Sequence, residues 1–224
     1  MNFEECLYSR RTVRKYEDRN ISEEELNEIL KAGMYAPSAC NFQAWKFIVI
    51  DDQSKKELLE NPIINGAPIC VMVVYRNDLY VSGREHFDYI QSASAAIENI
   101  LLCAHNRGVG CCWICHYPDE EKVRKAFHIP DNFAVVGCIA MGYPLIGEEN
   151  SKQNMEYHYG NEKDFLQHKR RFTPEQVICR NQFAHIENDC CDAKYPDKNM
   201  WDKRRKNEKR HEFKEAVKKL LKRS

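Results

Sequence analysis

FDYIQSASAAIENILLCAHNRGVGCCWIC, residues 87–115, changes its hydrophobic period once, and that change sets how the rest of the chain is read. Ile90, Ala93, Ile97, Ile100, Leu101 and Ala104 recur at helical spacing, which predicts a long helix over 87–107 with a broad apolar side. Gly108 is its expected stop, because glycine accepts the left-handed conformation that ends helices. Cys111–Cys115 then reads as a short apolar strand. A helix so long and so broadly apolar is expected to lie at the centre of a domain, with strands around it.

Working outward, Trp45–Ile50 and Ile69–Tyr75 are β-rich runs, the first closed by Asp51-Asp52 and the second preceded by Gly66-Ala67-Pro68. Ser22-Glu23-Glu24-Glu25 has the form of a capping box, and Leu26, Ile29, Leu30, Gly33 and Met34 follow at helical spacing until Pro37 forces a stop. A short helix from about Pro118 to Phe127 and a strand over Phe133–Met141 complete the pattern. Helices interspersed with four or more strands predict a mixed α and β fold.

The 224 residues are 43% hydrophobic and 30% charged, enough to bury a real core. Lys and Arg (34) balance Asp and Glu (34), so no global field draws the chain to nucleic acid or an anionic membrane. No window approaches the ~20 apolar residues of a spanning helix, and MNFEECLYSRR lacks a signal-peptide pattern, so a cytoplasmic location is expected. The eleven cysteines are odd in number and scattered through apolar runs, which suits reduced core thiols better than a disulfide framework.

Charge is unevenly spread. Residues 201–224 hold eleven Lys or Arg against four Asp or Glu, leaving +7 there and −7 in the remainder. The expected organisation is a domain over 1–180 and a Cys-containing, basic, partly helical extension over 181–224.

Two motifs carry the chemistry. In Ser9-Arg10-Arg11-Thr12-Val13-Arg14, an extended backbone would put Arg10, Thr12 and Arg14 on one side, a set suited to phosphate and to a polarised carbonyl. In Ala36-Pro37-Ser38-Ala39-Cys40-Asn41-Phe42-Gln43-Ala44-Trp45, the two amides offer donor and acceptor to a heteroaromatic edge; in isolation, a turn capping its own backbone is the commoner use.

With these motifs, Ala95-Ala96-Ile97-Glu98-Asn99 after Asp88, Gly108-Val109-Gly110-Cys111-Cys112-Trp113-Ile114, and Met141-Gly142-Tyr143-Pro144, the chain resembles the nitroreductase family of FMN-dependent oxidoreductases over roughly residues 5–178. The resemblance implies an α+β fold with a central, mostly antiparallel sheet flanked by helices, and an intertwined homodimer with FMN sites shared between subunits. It implies Arg10 and Thr12 at the FMN phosphate with Arg11 beside them, and Arg14 toward the N1 and C2 carbonyl edge of the flavin. Pro37, Ser38, Ala39, Asn41 and Gln43 match the loop that the other subunit contributes. Lys169 and Arg171, before Phe172-Thr173-Pro174-Glu175, match a late basic segment that closes on the phosphate.

Trp113, Ile114 and Cys115 match the strand that passes the flavin, where a backbone N–H, here that of Cys115, donates to N5. This chain departs from the family there, having Cys115 and His116 where a glycine is frequent. No side chain is expected to act as acid or base, because the cofactor carries the chemistry. The implied activity is hydride transfer from NADH or NADPH to the flavin and on to a small organic acceptor, a nitroaromatic, quinone or similar, by a ping-pong mechanism. Reductive dehalogenation or flavin cleavage on the same fold remains open. So does a non-catalytic metal-binding reading through Cys112, Cys115, Cys190 and Cys191, though i and i+3 in a strand point to opposite faces. No metal is assigned, and no nucleic-acid or membrane partner.

Overall fold

β1 (Trp45–Ile50), β2 (Ile69–Arg76), β3 (Gly110–Ile114) and β4 (Phe133–Gly142) form one sheet in the order β1-β2-β4-β3, with every neighbouring pair antiparallel. The computed structural model describes residues 1–79, 87–115, 120–145 and 174–182. Trp45 pairs with Tyr75, Ile69 with Met141, and Gly110 with Gly142. Between Val73 and Val74 the register with β4 slips by one, since Val73 faces Gly137 and Val74 faces Val135, leaving Val136 as the bulged residue.

The helices are α1 (Phe3–Ser9), α2 (Glu23–Met34), α3 (Gln53–Glu57), α4 (Pro62–Asn65), α5 (Asp88–Asn106), α6 (Glu120–Ala126) and α7 (Pro174–Val177), with a 3-10 turn at Ala39–Asn41. One sheet face, built from Val71, Val73, Tyr75, Ile139 and Met141, packs with Leu26 and Ile29 of α2 and Ala93, Ala96, Ile97 and Ile100 of α5. The other, with Cys70, Met72, Cys138 and Ala140, packs with Leu59, Ile64, Val123 and Ile129. Burial on both faces explains why β2 reads as the unbroken run ICVMVVY rather than alternating. Lys56 of α3 is buried with them, and its ammonium donates to Ala67 O (2.6 Å) and Pro68 O (3.4 Å) where the chain enters β2.

The fold class, the four strands and the helices read from the sequence agree with the structure, while α1, α3 and α4 were not read and Ser9, read as extended, ends α1; α5 ends in a turn where Gly108 takes φ +76°. Two further details differ. The Ser22 hydroxyl accepts from Glu25 N (3.2 Å), but the Glu25 carboxylate takes the Tyr143 hydroxyl (2.6 Å) rather than closing a capping box. The reciprocal box forms instead on α1, where Asn2 Oδ1 accepts from Glu5 N and Glu5 Oε2 accepts from Asn2 N. Ile90, counted in the apolar stripe of α5, is 38% exposed, because it lies in the first turn, away from the sheet-facing residues.

The chain divides into two compact units, Met1–Lys163 and Asp164–Ser224. The sheet and α1–α6 belong to the first. In the second, α7 is a single turn closed by Ile178 N donating to Pro174 O (2.7 Å). Lys169, Arg171, His116, Cys190, Cys191, residues 150–164 and the basic run 201–224 lie outside the described residues.

Candidate cofactor site at the edge of the sheet

α1 ends at Ser9, and Arg10 leaves it in an extended conformation while its N–H still reaches Cys6 O. The next residues close the free edge of β3. Thr12 pairs in parallel with Cys111, Val13 N donates to Cys111 O (2.9 Å), and Tyr16 bridges to Pro144. Glu17 N to Tyr143 O (2.9 Å) and Leu145 N to Lys15 O (3.1 Å) continue the seam. The approach is so close that a Cβ on Gly110 would sit 2.7 Å from Val13 Cβ, so that position requires glycine. Tyr16 locks the seam from within: its hydroxyl is shared between Val13 O (2.7 Å) and Ala140 O (3.0 Å). Burial holds its phenol well above the usual tyrosine range, with Cys112 and Cys111 adding to the effect and Arg14 opposing it.

Arg10, Thr12 and Arg14 are half-buried along this segment. Arg10 Nε lies 3.3 Å from Glu98 Oε1 of α5, an ion-pair distance; the same Nε is buried and has no aligned hydrogen-bond acceptor, so charge rather than a formed hydrogen bond makes the contact. Both guanidiniums lie near β3. Burial pushes the Cys111 thiol far up, against the Arg10 charge, and pushes the Cys112 thiol up against the Arg14 charge. Arg11 turns the other way: Nη1 donates to Tyr8 O, Ser9 O and Arg10 O, satisfying carbonyls at the end of α1. Ser9 Oγ and His105 Nε2, 2.8 Å apart, fasten that end to α5, as does Cys6 Sγ donating to Leu102 O (3.3 Å).

The amide loop is built differently. Cys40, Asn41 and Gln43 have φ of 49°, 55° and 48°, three side-chain-bearing residues in the left-handed region within four positions. Such conformations cost energy and persist where surrounding structure imposes them. Here Ser38 Oγ accepts from Gln43 N (3.1 Å), Gln43 Nε2 donates to Asn41 Oδ1 (3.0 Å), and Ala39 N donates to the buried Ser92 Oγ of α5 (3.1 Å). Pro37, Asn41, Phe42 and Gln43 are exposed; Ser38 and Ala39 are half-buried. The pairing of Gln43 with Asn41 uses the Gln43 amide nitrogen and the Asn41 amide oxygen, and leaves the other atom of each amide outside that bond.

At the far end of β3, Trp113 is 36% exposed with its indole nitrogen over Gly137, Ile114 is buried, and Cys115 follows the last pair, Ile114 with Cys138. Burial raises the Cys115 thiol, Cys138 adding to the effect, and all nine described cysteines are free. Cys112 is buried while Cys115 is exposed, and among the described residues no group of three or more His, Cys, Asp or Glu is placed to hold a metal ion.

Sequence reasoning singled out the arginines and the loop but assigned no role to Ser92, Tyr16 or Glu98. Tyr16 had a signal, since it continues the alternation of Arg10, Thr12 and Arg14. Glu98 lies within a motif of the resemblance but was given no role, and Ser92 had no signal that separates it from ordinary helix residues.

The fold and the site define an α+β protein whose sheet edge carries a cationic, hydroxyl-bearing segment close to β3. The chain belongs to the nitroreductase family, whose sequence profile matches residues 7–60 and 51–143. A protein of Archaeoglobus fulgidus provisionally named NADH dehydrogenase/NAD(P)H nitroreductase is 36% identical over 183 residues, covering 78% of this chain and 97% of that one. A nitroreductase family protein from Clostridium novyi NT is 29% identical with a TM-score of 0.60, over 73% of this chain and 98% of that one. A provisionally assigned nitroreductase from Desulfovibrio desulfuricans, solved in complex with FMN, is 25% identical with a TM-score of 0.64, over 82% and 99%.

Proposed function

We propose that this chain is an FMN-dependent oxidoreductase that takes reducing equivalents from NADH or NADPH and passes them to a small organic acceptor, a nitroaromatic, quinone or similar, in a ping-pong cycle. FMN, when bound, supplies the centre that accepts and returns the hydride. The residues present fit that group. The observation that carries the reading is the state of Arg10: its inner nitrogen is buried and without an aligned acceptor, and no protein hydrogen bond engages its outer pair among the described residues. A guanidinium left open in this way suits a phosphate.

In this reading Arg10 and the Thr12 hydroxyl take the phosphate, and Arg11 steadies the turn that delivers Arg10. Arg14 lies toward the flavin ring and favours its more negative redox state. Ser38, Ala39, Asn41 and Gln43, flanked by Pro37, read the ring and ribityl chain from a second copy of the protein. Trp113, Ile114 and the Cys115 N–H border the reactive edge. Lys169 and Arg171 are proposed as the closing cations, and the boundary of the FMN domain is proposed near residue 180. Phe3, Tyr8, Tyr35, Phe42 and Phe87 are exposed aromatics, surface of the kind that the proposed homodimer would cover. No described helix is long and apolar enough to cross a membrane, and the free, scattered cysteines support a cytoplasmic location.

The test is the visible absorption spectrum of the purified protein before and after anaerobic addition of NADH, then NADPH, followed by a panel of acceptors. A flavin spectrum that bleaches and recovers is the expected result; a colourless protein that does not rebind added FMN overturns the reading. Arg14→Ala is expected to lower the midpoint potential by roughly 30 mV or more, the two-electron equivalent of a tenfold change, and an unchanged potential removes Arg14 from its role.

A further inference from the structure

Glu98 stands in the middle of α5, a helix already fastened on either side of it. Asn99 Nδ2 donates to Ala32 O (3.2 Å), and Ser92 Oγ accepts from Ala39 N (3.1 Å). The end of α1 docks on the same helix through Ser9 and His105 (2.8 Å) and through Cys6 and Leu102 (3.3 Å). The ion pair of Glu98 with Arg10 is therefore not needed to bring α1 and α5 together. It is also half-screened, the two side chains being 39% and 21% exposed, which makes it weak as a source of stability. What the contact does is local: a carboxylate oxygen stands 3.3 Å from the buried Nε of Arg10.

We infer that Glu98 is a positioning residue for anion capture, holding the inner edge of the Arg10 guanidinium so that its outer pair of N–H groups faces the phosphate of the cofactor. The inference rests on the FMN reading above. An arginine has many rotamers, and fixing one before the ligand arrives removes an ordering cost from binding. A carboxylate charge beside Nε favours the rotamers that keep the inner edge next to it, and the outer N–H pair, coplanar with Nε–H, is then turned away from Glu98. The arrangement carries a sign that can be measured. As a mere neighbouring charge, Glu98 would repel a phosphate, and its removal would tighten binding. As a positioning residue, its removal loosens binding.

The experiment titrates FMN and riboflavin, which lacks the phosphate, into the flavin-free full chain, following flavin fluorescence. Glu98→Ala is expected to weaken FMN about tenfold, through loss of the charge that orients Arg10, and to leave riboflavin within about twofold. Glu98→Asp, which keeps the charge though one methylene short, should recover part of the FMN affinity, and Glu98→Gln, which keeps the reach but not the charge, should not. In an Arg10→Ala background the effect of Glu98→Ala should vanish. Glu98→Gln and Glu98→Asp supply the same contrast if the alanine variant does not fold, which its melting temperature reports. Unchanged or tighter FMN binding in Glu98→Ala, or equal losses for FMN and riboflavin, overturns the inference while Arg10→Ala still weakens FMN. If Arg10→Ala itself leaves FMN affinity unchanged, the phosphate reading of Arg10 falls instead.

Discussion

Residues 12–17 are held by backbone pairing to β3 and to the chain just after β4, with Tyr16 latched to Ala140 from inside. Residues 38–43 are held by bonds within the loop, two backbone bonds of its 3-10 turn and two from side chains, across three left-handed residues, with Ala39 tied to Ser92. The first segment borrows the stability of the sheet, so its side chains stay placed as long as the sheet does. The second stores local strain and depends on a few polar contacts, a state from which a loop can adjust when a ligand or a second subunit arrives.

The sharpest way to break this comparison is to push the arginine segment off the sheet. Gly110→Ala places a methyl group against Val13 and should cost roughly 1–3 kcal/mol in urea unfolding, with flavin lost on gel filtration. A stable, flavin-retaining variant would show that the segment is not held by that seam.

Tyr16→Phe is the next step down, leaving Val13 O and Ala140 O without their shared donor, at about 1–2 kcal/mol. The same latch predicts a pH dependence. The folded state holds the Tyr16 phenol protonated above its ordinary value near 10, so its contribution is complete below that pH and is lost as pH rises toward the raised folded value. The urea midpoint should fall as pH climbs past about 10, and less steeply in Tyr16→Phe.

Ser92→Ala tests the opposite half. Removing the acceptor for Ala39 N should cost about 1 kcal/mol and weaken flavin more than it weakens the fold, read by flavin titration beside urea unfolding. Smallest, and of opposite sign, is Cys40→Gly. Glycine takes φ near 49° without strain, so stability should rise by up to about 1 kcal/mol after its larger unfolded-state entropy is subtracted. A loss of stability there would mean that the Cys40 side chain supports the loop.

Much of this comparison is written in the residue pattern. The strand limits of β1 follow from Trp45–Ile50 directly, and α5 differs from its expected span only by one residue at each end. The cationic segment and the amide loop also stand out, although either alone fits a structural use; it is their order with the other motifs along the chain that separates them. What the pattern could not supply is partnership across sequence distance. Whether Glu25 turns back to its own N-cap or out to Tyr143 depends on a residue 118 positions away, and no local rule fixes it. The Ser92 and Glu98 contacts are of the same kind, decided by where α5 lies against the two motifs. Arg11 shows the reverse: its local bonds to the end of α1 separate it from Arg10 and Arg14, although all three look alike in sequence.

Lys56 has a consequence for how this protein can be watched. The residue is 5% exposed and its amine is engaged with Ala67 O, while most lysines of a folded chain meet solvent. An acylating reagent in solution will modify the surface amines at once and reach Lys56 only when the corner between α3 and β2 opens. The acylation rate of the peptide carrying Lys56, followed by mass spectrometry with and without flavin, is thus a clock for the breathing of the sheet on the side away from α5.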